Sequence, residues 1–301
     1  MSSLWSDTEI LPKFPSLKGE TSTDVLIIGG GMAGLLCALL LKRRGISCIV
    51  AEANRVASGA TKNTTAKLTS QHGLLYNRLM EKKGLESAQM YLKANETALE
   101  EFRSLCKNID CSFEESSNFV YSLDDRRALE KETLALQKLG IRARLATTPS
   151  LPFPTQGAVE FPNQAQFHPL RFIKSILQEL QIYENTPIHS IEDSFAVSDA
   201  GRIRAKAFVV TTHFPFINKH GSYFIKLYQQ RSYVLALSGA NIPKGMYIGD
   251  TENSFSFRMA EGLLLLGGGG HRTGKPGGNW ELLRKKAAKW YPDAKEEYHW
   301  S

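Results

Sequence analysis

Apolar and polar positions along the chain first mark out a strand running into a helix. Val25-Leu26-Ile27-Ile28 is a continuous apolar run of the kind expected of a strand covered on both faces. Three glycines follow, and then Leu35-Leu36-Cys37-Ala38-Leu39-Leu40-Leu41, whose composition favours a helix ended by Gly45. Ile46 to Glu52 reads as a second strand. Residues 85–105 carry helical spacing, with Ala88, Tyr91, Leu92, Ala98, Leu99 and Phe102 as the apolar positions. A further helix is expected from Asp124 to Leu139, ended by Gly140. The proline-bearing stretch from Leu151 to Pro169 predicts loop and extended strand at a crossing between domains. Pro169 then starts a helix reaching Leu180, since a proline at the first helical position loses no hydrogen bond. Strands are expected at Ile188–Ile191 and Phe208–Thr212, and strands of a second sheet at Tyr228–Leu237, Met246–Ile248 and Leu263–Leu266. Trp280 to Trp300, rich in Lys and Glu, predicts an amphipathic helix. No internal repeat is present.

The glycines give the first strand and helix a chemical meaning. Gly29-x-Gly31-x-x-Gly34 sits directly between them, where Gly29 permits the tight turn, Gly31 admits close approach of a pyrophosphate, and Gly34 lets helix and strand pack closely. The helix N-terminus then offers N–H groups and a positive dipole end to phosphate. Glu52 closes the second strand 52 − 34 = 18 residues past the last glycine, where an acid accepts hydrogen bonds from a ribose. Strand, turn, helix, strand and acid together predict a dinucleotide site.

Composition narrows the picture. At 301 residues the chain is long enough for two domains or one large one. Its formal charge of +7, from 37 basic and 30 acidic residues, is scattered, which favours anionic ligands without indicating nucleic acid. No apolar run approaches a membrane span, and the N-terminus lacks the basic-then-apolar order of a signal peptide, so a cytoplasmic chain with no membrane partner is expected. Cys37, Cys48, Cys106 and Cys111 show no metal-ligand spacing, and no metal site is expected. Structural, reduced thiols are the expected state; Cys106 and Cys111 are near enough in sequence to bridge, which a cytoplasmic setting disfavours.

After Glu52 the chain becomes polar and small-residue-rich from Arg55 to Gly73, a run suited to an extended loop that wraps a ligand through hydrogen bonds. Here the residues carry a resemblance. Gly29-x-Gly31-x-x-Gly34, Glu52, Ser58-Gly59-Ala60-Thr61 and Thr64-Thr65-Ala66-Lys67-Leu68-Thr69-Ser70-Gln71-His72-Gly73 together resemble the FAD-dependent oxidoreductases of the D-amino-acid oxidase (DAO, glycine-oxidase-like) superfamily. The last run is most similar to the branch with a C-terminal Rieske domain. Phe167-His168-Pro169-Leu170-Arg171-Phe172, Thr211-Thr212-His213-Phe214-Pro215, Gln230-Arg231-Ser232-Tyr233 and Gly267-Gly268-Gly269-Gly270-His271-Arg272-Thr273-Gly274 extend the similarity over nearly the whole chain.

The resemblance implies an α/β chain, α+β overall. Its Rossmann-like FAD-binding domain would have three-layer ββα architecture, beside a discontinuous antiparallel-sheet substrate domain forming one wall of the substrate cavity. The expected FAD-binding parts are 1–75, 160–215 and 275–301, and the substrate parts 76–159 and 216–274. It further implies FAD contacts at Gly29, Gly31, Met32, Ala33, Gly34, Glu52, Ala53, Arg55, Thr61, Thr64, Thr65, Ile188 and Thr212. Members of the branch continue past Ser301 into a loop and helix over the flavin and then a Rieske domain, so the chain reads as truncated.

The activity implied is oxidation of a C–N bond of an amine or amino acid by hydride transfer to the flavin, with imine hydrolysis to follow. Electrons would pass to oxygen or an iron–sulfur partner. Two alternatives differ in class: a catalytically incompetent dinucleotide-binding scaffold, and an NAD-dependent dehydrogenase, which leaves the Thr/Gln/His-rich run unexplained. No triad is apparent and no catalytic residue is assigned. His72 is placed near the flavin ring by resemblance, in positioning or in chemistry. Arg231 and Arg258 fall in expected strands, where an inward guanidinium would clamp a substrate carboxylate in a two-bond fork. Strand alternation puts Arg231 and Tyr233 on one face; Tyr233 and Arg258 are the expected cavity residues. His168, just before a helix-starting proline, suits capping or packing. Gly269 to Lys275 imitates a phosphate loop, but Pro276 occupies its Ser/Thr position.

Overall fold

The computed structural model describes residues 2–146, 151–217, 222–251 and 253–301. In chain order these form α1 (Leu4–Thr8), β1 (Gly19–Ile28), α2 (Met32–Arg43), β2 (Cys48–Ala51), a 3-10 turn (Ala60–Asn63), β3 (Lys67–Leu68) and α3 (Tyr76–Cys106). Then come β4 (Glu114–Ser122), α4 (Arg126–Lys138), β5 (Arg144–Ala146), β6 (Gly157–Gln166), α5 (Pro169–Leu177), β7 (Ile182–Tyr183), β8 (Ile188–Glu192), β9 (Phe195–Ser198) and β10 (Gly201–Val210). The last third holds α6 (Tyr223–Lys226), β11 (Gln230–Ser238), β12 (Met246–Gly249), β13 (Ser256–Ala260), β14 (Leu263–Arg272), α7 (Trp280–Trp290) and β15 (Lys295–Trp300). Among the described residues no helix is long and apolar enough to cross a membrane.

Two compact units divide these elements. The first comprises Trp5–Thr64 and Pro169–Gln229. Its sheet runs β7-β2-β1-β10-β9-β8, with β7, β2, β1 and β10 parallel and β9 and β8 added antiparallel. The central strands carry the buried run Leu26, Ile27 and Ile28, paired to Ile49, Val50 and Ala51 on one side and Phe208, Val209 and Val210 on the other. Leu26 and Ile28 pack with Ile49, Ile188, Ala196 and Ile203 in one apolar cluster, while α2 packs on β1, β2 and α5. Leu35 and Leu39 of α2 are fully buried, each burial contributing about 1.5–3 kcal/mol.

The second unit comprises Met1–Leu4, Thr65–His168 and Gln230–Ser301. Its nine-stranded sheet runs β15-β11-β14-β13-β12-β4-β6-β3, with β5 paired to β6. One face packs on α7, where Leu283 and Ala287 meet Leu235, Phe257 and Leu266. On the other, Val159 and Phe161 meet Leu92 of α3 and Leu129 and Leu136 of α4. The α3 helix breaks at Gly84 (φ 84°), and Ala98, expected among its buried positions, is exposed.

Several expectations change. The sheet is mixed, not purely antiparallel: β12 pairs β4 in parallel, because more than a hundred residues separate them and no hairpin constrains their direction. Residues 275–301 belong to the large-sheet unit instead of the dinucleotide unit, since α7 packs on β11 and β14 and β15 pairs β11. Residues 160–168 stay there too, because β6 runs unbroken to Gln166, while 65–75 join it through the pairing of β3 with β6. Residues 216–217 and 222–229 fall in the parallel unit. The expected helix from Trp280 to Trp300 stops at Trp290, two residues before Pro292, and the rest is strand.

Candidate functional site

Parallel strands expose their carboxyl ends to ligands, and the cavity of the parallel unit lies there. It measures 510 Å³ and is lined by the ends of β1, β2 and β10, the glycine turn, and residues 53–61. The turn is held from both sides. Glu52 Oε2 accepts the Gly30 N–H at 2.6 Å and Oε1 the Asn54 N–H at 2.8 Å. Thr211 Oγ1 lies 3.0 Å from the carbonyl oxygens of both Ile28 and Gly29. Thr61 Oγ1 accepts the Met32 N–H at 3.0 Å, so one N–H of the helix N-terminus already has a partner within the protein.

The three motif glycines answer to different neighbours. Gly29 has φ 114°, which a Cβ would strain, and a Cβ on Gly34 would stand 2.1 Å from the Gly29 carbonyl oxygen. A Cβ on Gly31 would meet only Thr61 Oγ1, at 3.4 Å, an ordinary contact. Nothing in the protein therefore requires glycine at 31, and the space beside it opens on the cavity. Thr212 Oγ1, also lining the cavity, is buried without a hydrogen-bond partner. A backbone cradle that a side chain would fill and an unused hydroxyl at the same cavity fit an FAD whose pyrophosphate crosses the turn.

Of the residues implied as FAD contacts, Gly29, Gly31, Met32, Ala33, Glu52, Ala53, Arg55, Thr61, Ile188 and Thr212 line this cavity. Gly34 does not; it is buried in the contact of helix with strand. Thr64 lies outside the lining, its carbonyl accepting the Trp5 indole N–H at 2.7 Å, and Thr65 belongs to the large-sheet unit. Arg55 is engaged by Glu184 and by the Pro12 carbonyl at 2.9 Å. Thr211, Pro187, His213, Phe214 and Phe216 line the cavity without having been assigned to it. Thr211 sits just past the end of β10, and the parallel pairing of β10 with β1 brings it to the glycine turn.

In the large-sheet unit, a polar group occupies the face that α7 does not cover. Asn118 stands opposite Phe161 of β6 and Met246 of β12, and Arg258 opposite Leu265 of β14, so these side chains share one face. Lys67, on β3, donates to the Tyr247 carbonyl of β12 at 3.0 Å. Burial, and after it the Arg258 charge, lowers its pKa to about 7. Arg258, 2% exposed, donates to Gln166 Oε1 at 3.0 Å; Gln166 Nε2 is tied in turn to Glu114 and the Met259 carbonyl. Burial lowers the Arg258 pKa to about 9. Asn118 donates to Gln71 Oε1 at 3.1 Å, which leaves Gln71 Nε2 and Asn118 Oδ1 buried and unpaired. Reversing both amides would still leave one donor and one acceptor unspent on this face.

The expected substrate residues are not brought together. Tyr233 and Arg258 lie on opposite faces: Tyr233 is in the cluster under α7, its hydroxyl 2.9 Å from His271 Nε2 and its ring edge-on to Trp280. Arg231 is exposed and pairs His271, and the bulge between Arg231 and Tyr233 lies on β14, where Gly269 (φ 63°) and Gly270 stand opposite Ser232. His72 is exposed, with Nδ1 2.6 Å from the Tyr91 hydroxyl. His168 is fully buried before α5, its N–H on the Cys111 carbonyl. After Lys275 no helix begins until Trp280, unlike a phosphate loop. Among the described residues no cluster of three potential metal ligands exists.

Known proteins match over almost the whole chain. It is 32% identical over 318 residues to a Bacillus subtilis (strain 168) protein, YhfW, described as a Rieske 2Fe-2S iron-sulfur protein. The match covers 99% of this chain and 62% of that protein, so the chain spans under two thirds of that relative. Among solved structures, L-proline dehydrogenase from P. horikoshii superposes with a TM-score of 0.70 at 17% identity, covering 94% of this chain and 81% of that one. Glycine oxidase from Geobacillus kaustophilus gives 0.66 at 17% identity, with 93% and 82% covered. At such identities these two show the fold, which is that of Rossmann-like flavoenzymes. Residues 24–301 match the model of the DAO family, FAD dependent oxidoreductase, and it is to this family that the chain belongs.

Proposed function

We propose that this chain binds FAD in the cavity at the ends of β1, β2 and β10 and oxidises a C–N bond of an amine or amino acid. Bound there, FAD supplies the acceptor for a hydride from the substrate carbon. The unused Thr212 hydroxyl beside Gly31 and Glu52 carries the reading, since a buried polar atom on a cavity wall points to a missing partner. The Gly31 backbone admits the pyrophosphate, and Glu52, fixed by Gly30 and Asn54, retains lone pairs for ribose hydroxyls.

In the large-sheet unit, Arg258 supplies a buried cation held in place by Gln166, and Lys67 a second amine on the same face. Together with the unpaired atoms of Gln71 and Asn118 they suit a small substrate carrying a carboxylate. That the superposed structures are titled L-proline dehydrogenase and glycine oxidase favours amino acids. The Rieske description of the Bacillus protein favours an iron–sulfur electron acceptor over oxygen.

The test is the visible absorption spectrum of the purified chain, followed by heat release of the cofactor. A flavin band that survives gel filtration, with FAD in the supernatant, is the expected result, and anaerobic bleaching by one member of an amine and amino-acid panel then defines the substrate. A colourless protein that takes up no added FAD overturns the proposal for this chain.

A further inference from the structure

In the large-sheet unit, at the end of α3, two of the four cysteines are in contact. Cys106 is the last residue of that helix, 4% exposed; Cys111, fully buried, follows five residues later. The intervening chain folds back on itself, with the Ile109 N–H on the Cys106 carbonyl at 3.1 Å and the Cys111 N–H on the Ile109 carbonyl at 2.9 Å. His168 N–H pins the Cys111 carbonyl at 2.7 Å. Between the side chains runs a thiol–thiol hydrogen bond. Both residues line a surface cavity of 700 Å³, rimmed by Glu100, Arg103, Lys107 and Asp110, which gives a small oxidant a way in.

The other two thiols form an internal comparison. Cys48 Sγ donates to the Ala38 carbonyl at 3.4 Å, and burial raises its pKa. Cys111 shifts the opposite way: the hydrogen bond from Cys106 holds its thiol below the ordinary range, against the opposing effects of burial and Asp110, and the same bond raises Cys106. Two adjacent thiols opening on one cavity can supply an attacking and a resolving sulfur.

We infer that Cys106 and Cys111 form a reversible disulfide on exposure to a hydroperoxide. The Cys111 thiolate attacks the O–O bond, forming a sulfenic acid, and the departing alkoxide or hydroxide takes up a proton. The Cys106 sulfur then displaces the sulfenic oxygen as water, closing the S–S bond. In sum, two thiols and one hydroperoxide give one disulfide, one alcohol or water from the peroxide, and one further water; an external dithiol reverses it.

The test treats the pre-reduced full chain with hydrogen peroxide, blocks remaining thiols, and maps tryptic peptides without reduction. Trypsin cuts after Arg103 and Lys107, so the disulfide appears as residues 104–107 linked to residues 108–126. Expected are this linked pair, loss of two of the four thiols, recovery with dithiothreitol, and oxidation of Cys111 at least tenfold faster than of Cys48. In Cys106→Ser, whose fold is checked by circular dichroism, Cys111 should pass on to the sulfinic acid. Sulfinic acid at Cys111 in the unsubstituted chain, links to Cys37 or Cys48, or no oxidation while free cysteine reacts fully would each overturn the inference.

Discussion

Gly34 and Thr211 approach so closely that a Cβ on Gly34 would stand 2.7 Å from Thr211 Oγ1, in addition to its clash with the Gly29 carbonyl. Thr211 is itself committed to the Ile28 and Gly29 carbonyls, so it cannot withdraw without loosening the turn. Gly34→Ala is therefore expected to destabilise the chain by about 1–3 kcal/mol, the usual cost of overpacking. Urea denaturation of the cofactor-free protein measures it.

Gly31→Ala separates ligand from fold. No protein atom stands closer than 3.4 Å to its added Cβ, so the urea midpoint should move little, while FAD retention on gel filtration should fall at least tenfold. A stability loss equal to that of Gly34→Ala would show that glycine at 31 serves the fold and not the ligand.

Lys67 makes stability depend on pH. Its pKa is about 7 in the folded chain and 10.5 as the reference for the unfolded one. Between these values the unfolded chain binds more protons at this position, so stability rises with pH through the window and the full penalty is present below pH 7. Lys67→Met is expected to be more stable than the unsubstituted chain at pH 6.5 by on the order of 1–4 kcal/mol, with the difference fading towards pH 10. Denaturation midpoints at several pH values check both sign and window.

Glu132 of α4 caps the start of α3, which has no side-chain cap of its own: its buried carboxylate accepts the Tyr76 and Asn77 N–H groups at 2.9 and 2.8 Å. In Glu132→Gln one acceptor becomes a donor facing an N–H. A loss of about 1–3 kcal/mol is expected, with hydrogen exchange speeding at Tyr76 and Asn77. An unchanged exchange pattern would rule out this capping role.

Tyr233→Phe tests the separation of the two sheet faces. It removes the hydroxyl that meets His271, under α7, and should cost about 0.5–1.5 kcal/mol while leaving substrate KM within twofold. Arg258→Met, on the opposite face, should raise KM at least tenfold for a carboxylate substrate, read from flavin bleaching.

Local rules sufficed wherever the signal was carried by contiguous residues. Val25 to Ile28, the motif glycines and Glu52 announced strand, turn and acid because a βαβ unit is built from one stretch of chain. Gly45 and Gly140 were readable as helix ends for the same reason, and both adopt the positive φ that such positions use. Local rules failed where a second strand intervenes. The bulge in β14 opposite Arg231 and Tyr233 belongs to the pairing and leaves no mark in β11. Tyr233 and Arg258 each read as an inward residue, yet the sheet has two buried sides, and only register says which side each takes.

The sequence by itself therefore determined the nucleotide turn, the acid after it, the membership in a flavin-dependent family and most of the helices, because each rests on short-range stereochemistry or contiguous motifs. Tertiary structure alone decided that residues 275–301 join the large sheet, that Lys67 donates to the carbonyl of a residue 180 positions away, and that Gln71 and Asn118 keep unspent hydrogen-bonding atoms on the face of Arg258. These depend on strand order and burial, and the desolvation that brings an amine to neutrality near pH 7 exists only once distant segments have closed around it.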